Sequence, residues 1–162
     1  MNNSSQKYNL ALVHDYLTQF GGAEQVLKSF NRLFPEAPIY TLLYNKKKMA
    51  GLFKEDQIRV SYLRKFPQFL QKRKGWLLPF LPTTPETFDL RDFDLVLSSS
   101  NSFAKGVITK PKTIHICYCH SPMRFVWDWH YNYLKEQRLS KFKKFFALPL
   151  LHYVRLWDQA SS

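Results

Sequence analysis

The sequence predicts an α/β fold: a Rossmann-like parallel sheet with flanking helices. Two observations carry the prediction. Short, nearly all-apolar runs, Tyr8–Val13 and Phe93–Leu97 among them, have the length and composition of strands buried on both faces. Such runs alternate with segments whose apolar residues fall at helical spacing, the pattern of parallel strands joined by right-handed crossovers. The 162 residues, 45% hydrophobic and 22% charged, are ordinary globular usage and about one domain's length, which excludes disorder, collagen and coiled coil.

Met1–Lys7 is a polar tail without the apolar core of a secretory signal. Tyr8–Val13 is the first strand, ending at His14-Asp15, and a loop follows to Gly21-Gly22. Ala23–Phe34 places Ala23, Val26, Leu27, Phe30, Leu33 and Phe34 on one helical face, and Pro35 stops it. Pro38–Tyr44 is the second strand. Gln57–Leu63, with Ile58, Val60 and Tyr62 alternating, is the third. Arg64–Lys74 reads as a short amphipathic helix around Phe66, Phe69 and Leu70, and Trp76–Pro85, with three prolines, as a loop or broken helix. Phe93–Leu97 is the fourth strand, ending in Ser98-Ser99-Ser100-Asn101. Thr113–Tyr118 is the fifth, ending in Cys119-His120-Ser121-Pro122, with His115 inside the sheet. From Leu139 a last helix carries Phe142, Phe145, Phe146, Leu150, Tyr153, Leu156 and Trp157 on one stripe, with a kink expected at Pro149.

The net charge is +12, and aromatic residues make up 17% of the chain. The charge is localised. Residues 46–74 hold 10 basic and 2 acidic residues, residues 135–155 hold 6 and 1, and the remainder is near neutral. Each basic segment interleaves aromatic residues and leucines with its charges, which a purely solvated face does not need. A nucleic acid, a membrane surface and a phosphorylated ligand are all partners of that chemistry. No apolar run approaches the length of a bilayer span. Two cysteines two residues apart, Cys117 and Cys119, cannot form a disulfide framework, and a reducing compartment is expected.

In a parallel sheet, ligands bind beyond the carboxyl ends of the strands. Three polar loops converge there: 14–22, 98–105 and 119–124. Gly21-Gly22 opens a helix whose exposed N–H groups favour an anion, or else serves only as a tight turn. Ser98–Asn101 is either a nest for an oxyanion or sugar hydroxyls or the N-cap of the next helix. Lys105 adds a phosphate contact. Arg124 is a bidentate clamp or a surface ion pair with Asp128. His120 is a hydrogen-bonding group in a sugar or phosphate pocket or a packed histidine. Zinc on Cys117, Cys119 and His120 is disfavoured because the residues alternate between faces, so both thiols are expected as buried structural cysteines.

His14-Asp15-Tyr16-Leu17, Gly21-Gly22-Ala23-Glu24, Pro35-Glu36-Ala37 and Ile39-Tyr40-Thr41-Leu42 resemble, in that order, the opening of family-four, or group one, GT-B glycosyltransferases. Asp92–Ser100 and Cys117–Arg124 resemble the same family, so the likeness extends from Tyr8 to Trp157. It implies that residues 8–162 are the N-terminal, acceptor-side domain of a retaining enzyme, incomplete at its C-terminus. The family's second domain, which binds the donor, is absent from these residues and would be supplied elsewhere, for instance by a separate chain.

The implied reaction moves a sugar from a GDP- or UDP-sugar to a glycan or lipid-linked acceptor in cell-envelope polysaccharide synthesis. It needs no metal or other cofactor, and the chain alone is expected to be inactive. By resemblance, Gly21 and Gly22 lie near the donor diphosphate and His120 borders the reacting sugar. His14, Ser99, Ser100, Lys105 and Arg124 are acceptor or cleft residues. Arg64, Lys65, Lys72, Arg73, Lys74 and Trp76 form an interfacial surface that would hold a cytoplasmic protein at the inner face of the plasma membrane. The alternative is a non-enzymatic basic module that binds nucleic acid or a protein partner, although no groove-reading or stacking motif is present.

Overall fold

The computed structural model describes residues 8–72, 74–127 and 141–162. Its centre is a five-stranded, all-parallel sheet in the order β3-β2-β1-β4-β5, with helices packed against it. The strands are β1 (Leu10–Leu17), β2 (Ile39–Tyr44), β3 (Ile58–Val60), β4 (Leu95–Ser100) and β5 (Ile114–Cys119). The helices are α1 (Gly22–Leu33), α2 (Lys46–Met49), α3 (Gln68–Lys72), α4 (Lys74–Leu77) and α5 (Lys141–Ala160). This is the Rossmann-like α/β fold that the strand and helix periods predict.

Alternation along β1 sorts the core. Leu10 and Leu12 face α1 and pack with Leu27, Ile39, Met49 and Phe53. Ala11 and Val13 face the other way, toward Leu63, Leu77, Leu81 and Leu90 from the 61–90 excursion and Leu151 and Val154 of α5. β1 is therefore buried on both faces, as its composition requires.

Four details differ from the sequence expectations. β1 continues through His14-Asp15 to Leu17, and β4 includes Ser98–Ser100, so these polar residues lie inside strands and not after them. Their side chains have internal partners, which lets the ladder continue. The expected helix over 64–74 resolves into a 3-10 turn at Tyr62–Lys65, then α3 and α4. Pro67 lies between that turn and α3. α5 runs from Lys141 to Ala160 with Pro149 inside it. Its buried face is Leu151, Val154 and Asp158, while Tyr153 and Leu156 of the expected stripe are exposed. On the same inward face Asp158 meets Lys105 and Trp127. Residues Phe142, Phe145 and Phe146 of that stripe have side chains outside the described residues.

Finally, β5 is an edge strand. His115, expected inside the sheet, is only half-buried on it, and Cys117 and Cys119 are exposed free thiols and not buried structural ones. The polar tail 1–7 and residues 135–140 of the second basic segment lie outside the described residues.

Candidate functional site

In the order 3-2-1-4-5 the chain leaves β1 toward one edge and returns to build the other, so the order reverses between β1 and β4, the switch point beyond whose carboxyl ends such sheets receive ligands. His14 and Ser99 are register partners across that seam. Parallel pairing brings the carboxyl ends of all five strands to one edge. His120 follows β5 there, its backbone N–H donating to Ser100 O.

A continuous polar chain crosses the seam. His14 is fully buried, and its Nδ1 lies 3.0 Å from the Ser99 carbonyl and 3.2 Å from Ser99 Oγ. Its Nε2 lies 3.6 Å from Glu24 Oε1 in the first turn of α1. The other Glu24 oxygen accepts the Gly21 N–H at 2.8 Å. At the far end Ser99 Oγ lies 2.8 Å from His120 Nε2. The His120 ring, half-buried, packs edge-on against Tyr118 at 4.9 Å between centroids. Burial disfavours a charged His120, and the neighbouring His14 adds to this. Asp15 and Glu24 oppose it, and the net direction is downward from the usual imidazole value. Burial also resists ionisation of Glu24. The nearby His14 side chain and the N–H groups of Gly21 and of Glu24 itself outweigh that and hold the carboxyl below the usual range.

Asp15 takes the place foreseen for an external anion. Its carboxylate accepts four successive backbone N–H groups: Asn101 and Ser102 at Oδ2 (2.5 and 2.9 Å), Phe103 and Ala104 at Oδ1 (both 2.7 Å). The nest after β4 is thus filled from β1, which corrects the expectation that its amides receive an oxyanion or sugar. The buried Ser100 hydroxyl accepts the Lys105 N–H at 3.2 Å, and Ser98 Oγ lies 2.8 Å from His115 Nε2.

Lys105 is likewise committed. Its ammonium lies 2.6 Å from Asp158 Oδ1 and donates to the Asp158 carbonyl at 3.1 Å, both side chains being largely buried. It ties the turn after β4 to α5 instead of pointing into the crevice. Arg124 is exposed in the turn after β5, and its suggested partner Asp128 lies outside the described residues. Gly22 has open space around its Cα, whereas a Cβ on Gly21 would sit 3.2 Å from Glu24 Oε2. The double glycine therefore leaves the backbone approachable at the head of α1. Glu24 occupies part of that helix start, so an incoming anion meets a carboxylate offset by His14.

Asp15 and Glu24 are the residues that sequence reasoning missed as participants. Asp15 stands in the quoted His14-Asp15 motif, and Glu24 follows the glycines at the third position of a helix, where a carboxylate reaches back to an N-terminal amide. Both signals were available.

A cavity of about 700 Å³ opens at the carboxyl ends of β1 and β2, lined by Thr18, Gln19, Tyr44, Lys47, Lys48 and Gln71 among others. A smaller one, about 450 Å³, lies at the opposite edge between the segments leading into β4 and β5. On the outer surface Arg64 and Lys65 are exposed, as are Phe69 (63%) and Trp76 (61%). Arg73 lies outside the described residues, as do the side chains of Lys72 and Lys74. Among the described residues no group of three or more histidine, cysteine or acidic side chains is disposed to hold a metal ion, and no helix is long and apolar enough to cross a membrane.

Comparison of the chain with protein-family models, with curated proteins and with solved structures finds no match.

Proposed function

We propose that this chain is the acceptor-side domain of a retaining glycosyltransferase. It would move a sugar from a GDP- or UDP-sugar to a glycan or lipid-linked acceptor in cell-envelope polysaccharide synthesis. The observation that supports this best is the meeting of Gly21-Gly22, His14, Ser99 and His120 at the β1/β4 seam, where a parallel sheet of this order receives ligands. The glycines leave room for a diphosphate at the head of α1. His120, disposed toward the neutral state, offers a hydrogen bond to a sugar hydroxyl. The basic cavity beyond β1 and β2 suits an acceptor bearing phosphate. The domain's contribution is to position the reactants and to stabilise the departing diphosphate, without metal, opposite a donor-binding domain supplied by further polypeptide.

The exposed Phe69 and Trp76 beside Arg64 and Lys65 support the companion proposal, that the protein rests on an anionic membrane surface.

The test is a titration of ¹⁵N-labelled protein with UDP-glucose, GDP-mannose and inorganic pyrophosphate. Amide shifts confined to Gly21, Gly22 and His120 are expected with at least one nucleotide sugar. No response there to any of the three, together with salt-sensitive shifts from an RNA oligomer at residues 46–74, would replace the proposal with a nucleic-acid-binding module.

A further inference from the structure

We infer that Ser99 is a positioning residue that holds His120 in its Nδ1-protonated tautomer, with the buried His14 setting the direction of the Ser99 hydroxyl.

Proton counting along the chain of contacts leads to this tautomer. A carbonyl oxygen can only accept, so the His14 Nδ1 that lies 3.0 Å from the Ser99 carbonyl must carry a hydrogen. That hydrogen also points within 3.2 Å of Ser99 Oγ. The hydroxyl thus faces a donor on one side, and its own hydrogen must go elsewhere. The acceptor within reach is His120 Nε2, at 2.8 Å. A neutral His120 that accepts at Nε2 carries its proton at Nδ1. Among the described residues, that Nδ1 makes no hydrogen bond, so its N–H is the group His120 can offer to a ligand. The His14 ring is fully buried, its Nε2 lies 3.6 Å from Glu24 Oε1 without a hydrogen bond, and Glu24 accepts the Gly21 N–H at 2.8 Å.

The charged and titratable groups around His120 are His14 and Asp15 from β1, Glu24 from α1 and Tyr118 from β5. Burial lowers the tendency of His120 to take a second proton, which keeps the tautomer question relevant near neutral pH. The tautomer itself stands on geometry. Its use, donating from Nδ1 to a sugar hydroxyl or to the departing oxygen, rests on the glycosyltransferase reading.

Imidazole ¹⁵N spectroscopy of the intact chain, at a pH where the ring is neutral, tests it. The expected pattern for His120 is protonated Nδ1 and unprotonated Nε2. Ser99→Ala should move the Nε2 resonance to the protonated end of the imidazole range, and Ser99→Thr should restore the original pattern. His14 serves as the internal control for folding, because its Nδ1–H still meets the backbone carbonyl of residue 99 in both variants. If Ser99→Ala loses that control, Ser99→Gly is the second deletion. A wild-type His120 protonated at Nε2, or a pattern unchanged by a folded deletion variant, overturns the inference. The expected pattern in a protein whose His120 ignores every nucleotide sugar supports the positioning role and removes the glycosyltransferase reading, so the two can fail separately.

Discussion

Lys105 Nζ lies 2.6 Å from Asp158 Oδ1, and this buried contact joins the turn after β4 to the last helix. Trp127 adds an indole N–H to the other carboxylate oxygen at 2.8 Å. Breaking such a pair strands a charge away from water.

Lys105→Met is therefore expected to cost about 3 kcal/mol. Lys105→Met combined with Asp158→Asn should recover most of that, because the orphaned charge goes while an acceptor for Trp127 stays. Urea midpoints of the two singles and the double give the coupling. Additive effects would mean that the contact carries no energy.

Gly106 sits beneath the Trp157 ring. A Cβ there would fall 2.9 Å from Cη2 and closer still to Cζ2. Gly106→Ala should destabilise by roughly 1–3 kcal/mol through overpacking. Trp157→Leu in the same chain should relieve part of the loss. A thermal melt of Gly106→Ala that matches wild type would count against this packing.

Asp15→Asn keeps the size of the side chain but not its four acceptor sites. Its NH₂ would face two backbone N–H donors, and charge-assisted bonds are worth about 1.5–3 kcal/mol each. A loss of roughly 3–5 kcal/mol is expected, a large part of a domain's stability. Hydrogen exchange at residues 101–104 should accelerate first.

Three groups shape the pH response: His120, His115, which burial likewise lowers, and Glu24. Burial lowers His120, so the unfolded chain binds the more protons between that lowered value and about 6.5. Stability is complete above about 6.5 and declines as pH falls through this window. Glu24 is also depressed, and its share is present above about 4.3 and lost as pH falls through its own lower value. His120→Gln should reduce the first decline to the share of His115 and leave the second. Chemical denaturation from about pH 2 to about pH 8 separates them.

Vesicle sedimentation addresses the outer surface. Binding to anionic and not to neutral vesicles is expected, weakening with salt. Phe69→Ser with Trp76→Ser should reduce it further. Equal binding to both lipids, or to neither, would end the electrostatic version.

Much of the fold was legible because β1, β2 and β4 are apolar enough to reveal their period, and α1 shows an unbroken helical face up to Pro35. The strand ends were not. His14, Asp15 and Ser98–Ser100 look like loop residues, since a polar side chain inside a buried strand is costly unless partnered. The partners of His14 and Asp15 come from residues 85 or more positions away, as Ser99 and Ala104 show, and no local pattern contains that information. The inward face of α5 was hidden in the same way: Asp158 on it is partnered by Lys105, 53 residues upstream. For the candidate site, the sequence drew attention to His120 and the paired glycines, while Glu24 and Asp15 passed as ordinary helix and strand-end residues.

The Asp15 carboxylate also acts as a built-in competitor. A phosphate seeking the amides of residues 101–104 must displace an anion that is covalently part of the chain and so present at a high effective concentration. Millimolar solutes do not win such a contest. The molecule has in effect supplied its own permanent guest at one end of β4, and any negative charge on a ligand is left to the head of α1 or to the lysines beyond β2.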